Sequence, residues 1–306
     1  MDYDLIIIGG GPAGLTAAIY AARSRLKAVL LEKITPGGQV LTTDWLENYP
    51  GFPEGISGAD LMMKMSEQAA NLGAAIESAE ITAVDFSTTP KKIMAGDTVY
   101  TARAVIIAAG ASPNPLGVPG EERFFGRGIS TCATCDAPFY KDKVVAAVGG
   151  GNTAVQESLY LTRFASKVYL IHRRDELRAT KILQERALAN DKIEILWDTV
   201  VTEIGGGFTH VENIGLKNVK TGETRQLPVD GCFIWVGIQP NAGFLGQAVD
   251  RNEGGFVITD QAMQTSVPGV FAAGDVRATP LRQVSTAVGD AATAVHAAEH
   301  YLQTLL

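Results

Sequence analysis

The chain has 306 residues, 46% of them hydrophobic and 19% charged, which gives about two ordinary domains their cores and excludes a disordered chain. A net charge of −7 argues against a nucleic-acid partner. Three cysteines are too few for a disulfide scaffold and suit a catalytic pair in reducing cytosol; with no basic leader and no apolar run near the roughly 18–20 residues that span a bilayer, a cytoplasmic protein without a membrane partner is expected.

Asp4–Ile8 is a short apolar run of the kind buried in parallel sheets. It enters Gly9-Gly10-Gly11-Pro12-Ala13-Gly14 and then an Ala-rich helix from Leu15 to Ser24. Glycines at Gly9, Gly11 and Gly14 allow a tight turn, close approach of a pyrophosphate and close helix–strand packing. The next strand, Ala28–Leu31, ends at Glu32, where an acid accepts a bond from an adenosine ribose hydroxyl. Strand, turn, helix and acid together predict a dinucleotide site. Gly37–Thr43 and Glu47–Gly51 read as loops, and Asp60–Gly73 as an amphipathic helix whose Met62, Met63 and Met65 fill the core. Ile81–Thr101 alternates as a few short antiparallel strands, Ala104–Gly110 is a further buried strand, and Ser112-Pro113 with Pro115 reads as a linker out of the first lobe.

Cys132-Ala133-Thr134-Cys135-Asp136 follows. Two cysteines at this spacing can close and reopen a small disulfide, and an adjacent carboxylate can move the proton that exchange needs. The competing reading is half of a zinc site. Zinc needs four ligands, yet Cys232 lies in an apolar run and the four histidines have no paired spacing, so a redox dithiol is expected.

Lys143–Val148 is another buried strand, leading to Gly149-Gly150-Gly151-Asn152-Thr153-Ala154 and a helix from Val155 to Phe164. This repeats the first unit, with Ala154 in place of the third glycine. The strand Val168–Ile171, however, ends in His172-Arg173-Arg174-Asp175, with Arg178 a turn beyond. Arginines welcome a 2′-phosphate that an acid would repel, so this site is read as one for NADPH. Asp191–Val236 resembles the earlier short-strand region, with a hairpin at Gly205-Gly206-Gly207, and Gly237–Asn241 is the return linker. A late strand ends at Gly274-Asp275, where the acid can meet a cofactor's polyol chain; Arg282–Ala287 opens the last helix. The expected fold is α/β, with two Rossmann-like three-layer nucleotide-binding domains, the second inserted in the first: 1–112 with 241–306, and 113–240.

Taken together, Gly9-x-Gly11-x-x-Gly14, Gly38-Gln39, Cys132–Asp136, Gly149-x-Gly151-x-x-Ala154, His172-Arg173-Arg174 and Gly274-Asp275 resemble the low-molecular-weight thioredoxin reductases over essentially the whole chain. The resemblance implies FAD at the first site, NADPH at the second, a homodimer, and thioredoxin or a thioredoxin-like protein as partner. It places Pro12, Ala13, Gln39, Thr43, Asn48, Gly110, Asp275, Arg282, Gln283, Val284 and Ala287 beside FAD, in addition to the motif residues. It implies Asn152, Thr153, His172, Arg173, Arg174 and Arg178 beside NADPH. Cys135 would be the thiol nearer the flavin, Cys132 the one that attacks the partner, and Asp136 the proton carrier. Relatives often carry two aromatics after the acid where the partner docks, and Pro138 stands at the first of those places; Arg127 lies in a stretch that faces the partner in relatives.

The order of motifs also implies motion. The cysteines and the NADPH site share one lobe and the flavin belongs to the other. If both use one face of the ring, the lobes must swing about Ala111–Gly117 and Gly237–Asn241 in each turnover. The rival readings are a flavin dithiol oxidase, against which the arginines argue, a ferredoxin–NADP reductase relative, which has no need of the cysteines, and a non-catalytic nucleotide sensor, which would survive their loss.

Overall fold

The computed structural model describes residues 2–43, 45–46 and 48–305; Glu47, in one of the two expected loops, lies outside them. The chain divides into an outer unit, up to Ser112 and from Gln239 onward, and an inner unit, Pro113–Ile238. The connectors Ala111–Pro113 and Ile238–Pro240 pair as a two-stranded ribbon. Beside it the Asn114 N–H donates to the Gly237 carbonyl at 2.9 Å and the Asn241 N–H to that of Gly110 at 3.0 Å.

The outer unit is built on Asp2–Ile8, which pairs in parallel with Ala28–Glu32 on one side and Thr98–Ile107 on the other. Ala75–Ser78 extends the sheet beyond Ala28–Glu32, and Val270–Ala272 runs parallel to the end of Thr98–Ile107. Strand periodicity sends alternate residues to opposite faces. Leu5, Ile7, Leu30, Ile106 and Phe271 therefore meet the helices Pro12–Arg23, Gly58–Asn71 and Val284–Gln303. Ile6, Ile8, Val29, Leu31, Val105 and Ile107 face a second layer containing Phe86, Ile93, Leu245 and Val257. Each such large side chain, once buried, contributes about 1.5–3 kcal/mol.

Three sequence expectations change here. Thr98–Ile107 is one ten-residue strand: its first half pairs antiparallel with Lys91–Ala95, while its second half is the buried parallel strand expected separately from Ala104. Met62 and Met65 are buried on the core face of Gly58–Asn71, but Met63 is exposed, because one residue on a helix turns the side chain by about 100°. The Gly37–Thr43 loop contains a turn of 3₁₀ helix, Gly38–Thr42.

The inner unit repeats the plan. Its parallel sheet runs Ile193–Leu196, Lys167–Ile171, Val144–Gly149, Gly231–Trp235 and Ile129–Ser130 in spatial order. The helix Asn152–Leu161 follows its glycine turn. A separate antiparallel sheet, Thr199–Gly206, Val211–Asn218 and Thr224–Pro228, contains the hairpin expected near Gly205–Gly207.

Candidate active site

In the outer unit the Gly9–Gly14 turn is held by close approach. A Cβ on Gly14 would stand 1.7 Å from the Gly9 carbonyl oxygen, whereas one on Gly11 would meet nothing within 4 Å. The backbone therefore closes on itself at Gly14 and leaves open room at Gly11, at the head of Pro12–Arg23. Gly38 comes up beside it, its Cβ position 3.2 Å from the Gly11 Cα. Glu32 is fixed at the rim, with Oε2 accepting the Gly10 N–H at 2.6 Å and Oε1 the Ile34 N–H at 3.2 Å.

Residues far apart in sequence meet in the same unit. The Asn48 side-chain amide donates to Gln283 Oε1 at 3.0 Å, and that of Gln39 to the Ser112 hydroxyl at 3.2 Å. Gly274 lies against the methyls of Ala13 and Ala287, at 3.1 and 3.4 Å from its Cβ position. Gln283 caps Val284–Gln303 through a reciprocal box with Thr286. Arg282 stacks over Phe256, 4.3 Å from the ring centroid, and its buried Nε has no hydrogen-bond partner among the described residues. The Asp275 carboxyl is pushed up to about 6, first by burial, with Asp290 adding and Arg282 opposing. An open helix head, a fixed acid, a desolvated carboxyl and an orphaned guanidinium nitrogen fit a dinucleotide such as FAD, whose pyrophosphate and polyol supply the missing partners. Thr43 is half-buried, its carbonyl accepting the Gly58 N–H at 3.0 Å, and Gly110 sits where the connector leaves the sheet.

Sequence reading missed Asp290. Its Oδ2 accepts the Gly274 N–H at 3.1 Å and faces Arg277 Nε at 3.5 Å, so it anchors the Gly274-Asp275 turn from the last helix. The available signal was an acid, one of two with Glu299, within an alanine-rich helix.

In the inner unit Gly151 is likewise open, and Asn152 and Thr153 are exposed at the head of their helix. Ala154 is buried. The Asn152 side chain also accepts the Thr180 N–H at 2.8 Å, tying the turn to the segment after the arginines. Arg173, Arg174 and Arg178 are exposed. His172 is not with them: it is buried, its ring fills the space that a Cβ on Gly150 would enter at 2.2 Å, and Nε2 bonds the Glu176 carbonyl at 3.0 Å. Burial holds its pKa below the ordinary histidine value, and Arg178 and Arg174 lower it further, so it buttresses the turn as a neutral ring. The geometry fits a phosphorylated dinucleotide, with a free helix head for the pyrophosphate and unencumbered guanidiniums for a further phosphate.

Cys132 and Cys135 form a disulfide, Cα–Cα 5.4 Å, in the same inner unit. Both are half-buried at the short helix Ala133–Asp136. The Thr134 hydroxyl stands 3.4 Å from Cys132 Sγ, and the Cys132 N–H donates to the Ser130 hydroxyl at 3.0 Å. Beneath lies an aromatic column: Tyr140 meets Phe233 edge-on at 5.2 Å, Phe233 stacks on Trp235 at 5.5 Å, and the Trp235 indole N–H donates to the Thr131 carbonyl at 3.0 Å. Of the aromatics after the acid, Phe139 is exposed while Tyr140 belongs to this column. Glu157, also missed from sequence, accepts the Ala133 backbone N–H; burial nevertheless raises its pKa. Cys232 is wholly buried, and burial pushes its thiol up to about 12, which leaves it inert beside the reactive pair.

The pyridine nucleotide-disulphide oxidoreductase family model matches residues 3–291. Thioredoxin reductases of Treponema pallidum and Bacillus subtilis are each 47% identical, covering 99% of this chain and 98% and 96% of theirs. The crystal structure of thioredoxin reductase from Streptococcus pyogenes is 47% identical and superposes with a TM-score of 0.94 over 99% of both chains. With two glycine turns of dinucleotide type and a Cys132–Cys135 disulfide already in place, this chain belongs to the pyridine nucleotide-disulphide oxidoreductases, as a low-molecular-weight thioredoxin reductase.

Proposed function

We propose that the inner unit of this thioredoxin reductase carries both the NADPH site and the disulfide, and that the outer unit carries FAD. The chain is an NADPH-dependent flavoprotein disulfide reductase. The observation that carries the division of labour is the Cys132–Cys135 disulfide on the unit that also bears the Gly149–Ala154 turn and its arginines. When bound, FAD supplies a two-electron relay between NADPH and that disulfide.

The residues hold and orient. Gly11 and the head of Pro12–Arg23 receive the pyrophosphate of FAD, Glu32 the adenosine ribose, and Asp275 with Arg282 the polyol side. Asn48 and Gln283 fix each other against the same cofactor. In the inner unit, Gly149, Gly151, Asn152, Thr153 and Ala154 receive the NADPH pyrophosphate, and Arg173, Arg174 and Arg178 its 2′-phosphate, over the His172 buttress.

Once the pair is reduced, the Cys132 thiolate attacks the disulfide of thioredoxin, forming a mixed disulfide and releasing one partner thiolate. Cys135 then attacks Cys132, the second partner thiolate leaves, and the Cys132–Cys135 disulfide is restored; both electrons end on the partner. The Thr134 hydroxyl, 3.4 Å from Cys132 Sγ, favours the thiolate by donating to it, and Asp136 supplies the proton to the departing thiolate. Pro138 and exposed Phe139 border the motif and set the fit to the partner. Because one rigid unit bears both the reductant site and the disulfide, it presents them to FAD in alternation, turning on the two connectors.

A homodimer and a cytoplasmic location complete the reading, on family resemblance. Among the described residues, no helix is long and apolar enough to cross a membrane. The test is anaerobic mixing of the FAD-loaded protein with NADPH and oxidised thioredoxin. The wild type reduces thioredoxin catalytically, and pre-reduced Cys135→Ser traps a mixed disulfide through Cys132. Trapping through residue 135 in Cys132→Ser, or thioredoxin left oxidised by the wild type, overturns the assignment of roles.

A further inference from the structure

The segment after the strand Lys167–Ile171 mixes charges: Arg173, Arg174 and Arg178 with Asp175 and Glu176. Opposite charges this near one another attract, and each carboxylate is a potential competitor for a guanidinium. Here they are sorted. Lys220 Nζ lies 2.7 Å from Asp175 Oδ2 and 3.0 Å from Asp198 Oδ2, and Lys181 Nζ lies 3.2 Å from Glu176 Oε1. Among the described residues no carboxylate forms an ion pair with Arg173, Arg174 or Arg178.

Lys220 is placed by construction. It sits in the turn between Val211–Asn218 and Thr224–Pro228, where Asn218 Oδ1 accepts the N–H groups of Lys220 and Thr221, both at 2.9 Å. The Val219 N–H donates to the Asp198 carbonyl at 2.6 Å, and the Asp198 N–H to that of Arg174 at 3.2 Å. The turn is therefore docked on Asp198, whose backbone is in turn bonded to that of Arg174. Lys181 opens the helix Lys181–Leu188, where the helix dipole disfavours a cation and Glu176 offsets it.

We propose that Lys220, seconded by Lys181, is a specificity-determining residue for the phosphorylated nicotinamide cofactor: by holding Asp175 and Asp198 it keeps the neighbouring guanidiniums free for a 2′-phosphate. Without it, an acid beside Arg174 would compete for the guanidinium and repel the dianion. Lys220 holds the Asp175 carboxyl below its usual range, and Asp175 and Asp198 in turn raise the Lys220 ammonium. A cofactor that lacks the 2′-phosphate would not sense the change. The inference rests on the reading above that the arginines face that phosphate.

The experiment compares kcat/KM for NADPH and NADH in the FAD-loaded full chain with thioredoxin as acceptor. Lys220→Met is expected to lower the NADPH-to-NADH ratio about two- to fivefold through KM for NADPH, as befits exposed charges, with NADH unchanged. Lys220→Arg keeps the wild-type ratio. Adding Asp175→Asn to Lys220→Met restores most of the ratio. An unchanged ratio in Lys220→Met, an equal loss with both cofactors, or a double variant as poor as Lys220→Met alone overturns the inference, the last because it means that the lysine touches the phosphate directly. Arg174→Ala judges the underlying reading separately: if NADPH preference survives there, the phosphate is bound elsewhere, whatever Lys220 does.

Discussion

The Asp275 carboxyl, pushed up to about 6 from 3.8, holds its proton more tightly in the native state than in the unfolded chain. Its contribution to stability is therefore full below the unfolded value and is lost as pH rises through about 6. At neutral pH the FAD-free protein keeps a desolvated carboxylate, a cost to which repulsion by Asp290 adds and which Arg282 opposes. Asp275→Asn is expected to stabilise the FAD-free protein by about 1–3 kcal/mol at pH 7.5, a gain that shrinks toward pH 4, while weakening FAD retention. Thermal melts across pH, set beside bound flavin per chain, check both halves. The glycines, cysteines and arginines proposed for the sites were legible as candidates because their local spacing is itself the signal. Asp290, Glu157 and Lys220 were not, since each acts on backbone or charge distant in the chain: Asp290 reaches Gly274, Glu157 reaches Ala133, and Lys220 reaches Asp175. His172 was legible as part of the motif but not as a buried prop, because its exposure depends on the backbone of Gly150.

Among the elements, the strand–turn–helix units came through from sequence, since an apolar run entering glycines has few other ways to fold. Thr98–Ile107 did not come through as one strand. Its first residues are exposed or half-buried and mixed in character, its last four, Ala104–Ile107, are apolar and buried on both faces, and the change of pattern falls within a continuous strand. The first turn offers a paired test. Gly11 has φ −71° and ψ −172°, which any residue adopts, and open space at its Cβ position. Gly11→Ala is therefore expected to leave FAD-free stability within about 0.5 kcal/mol while strongly reducing FAD binding, because the methyl occupies the pyrophosphate's approach. At Gly14 a Cβ meets the Gly9 carbonyl at 1.7 Å, so Gly14→Ala should cost about 1–3 kcal/mol or more as well as the cofactor. Melting curves of the FAD-free variants separate the two effects, and similar curves for both would show that the close approach is not what fixes the turn.

For the molecule as a whole, the alternation of the inner unit is the claim most open to a mechanical test. Joining the two units by an engineered, oxidised cysteine pair is expected to abolish multiple turnover while leaving one half-reaction intact, either bleaching of the flavin by NADPH or exchange with the Cys132–Cys135 pair. Stopped-flow absorbance of the joined protein, before and after reduction of the engineered link, reads this directly; undiminished turnover in the joined form ends the proposal. A candidate crossing at each end of the inner unit was legible in the prolines and glycines of Ser112-Pro113 and Gly237–Asn241. The pairing of those connectors with each other was not, because a ribbon of two short strands has no periodicity of its own.

The outer unit takes Val270–Ala272, the Gly274-Asp275 turn and the helix Val284–Gln303 from the far side of the insertion. On the ribosome, then, the middle of the polypeptide is complete while the opening glycine turn still waits for its final third. Vitamin-derived pigment is therefore expected to load only after this late segment has been made. A nascent product halted after Gln239 should accordingly be retained on immobilised 2′,5′-ADP yet emerge colourless, and a yellow truncated product would contradict this order of assembly.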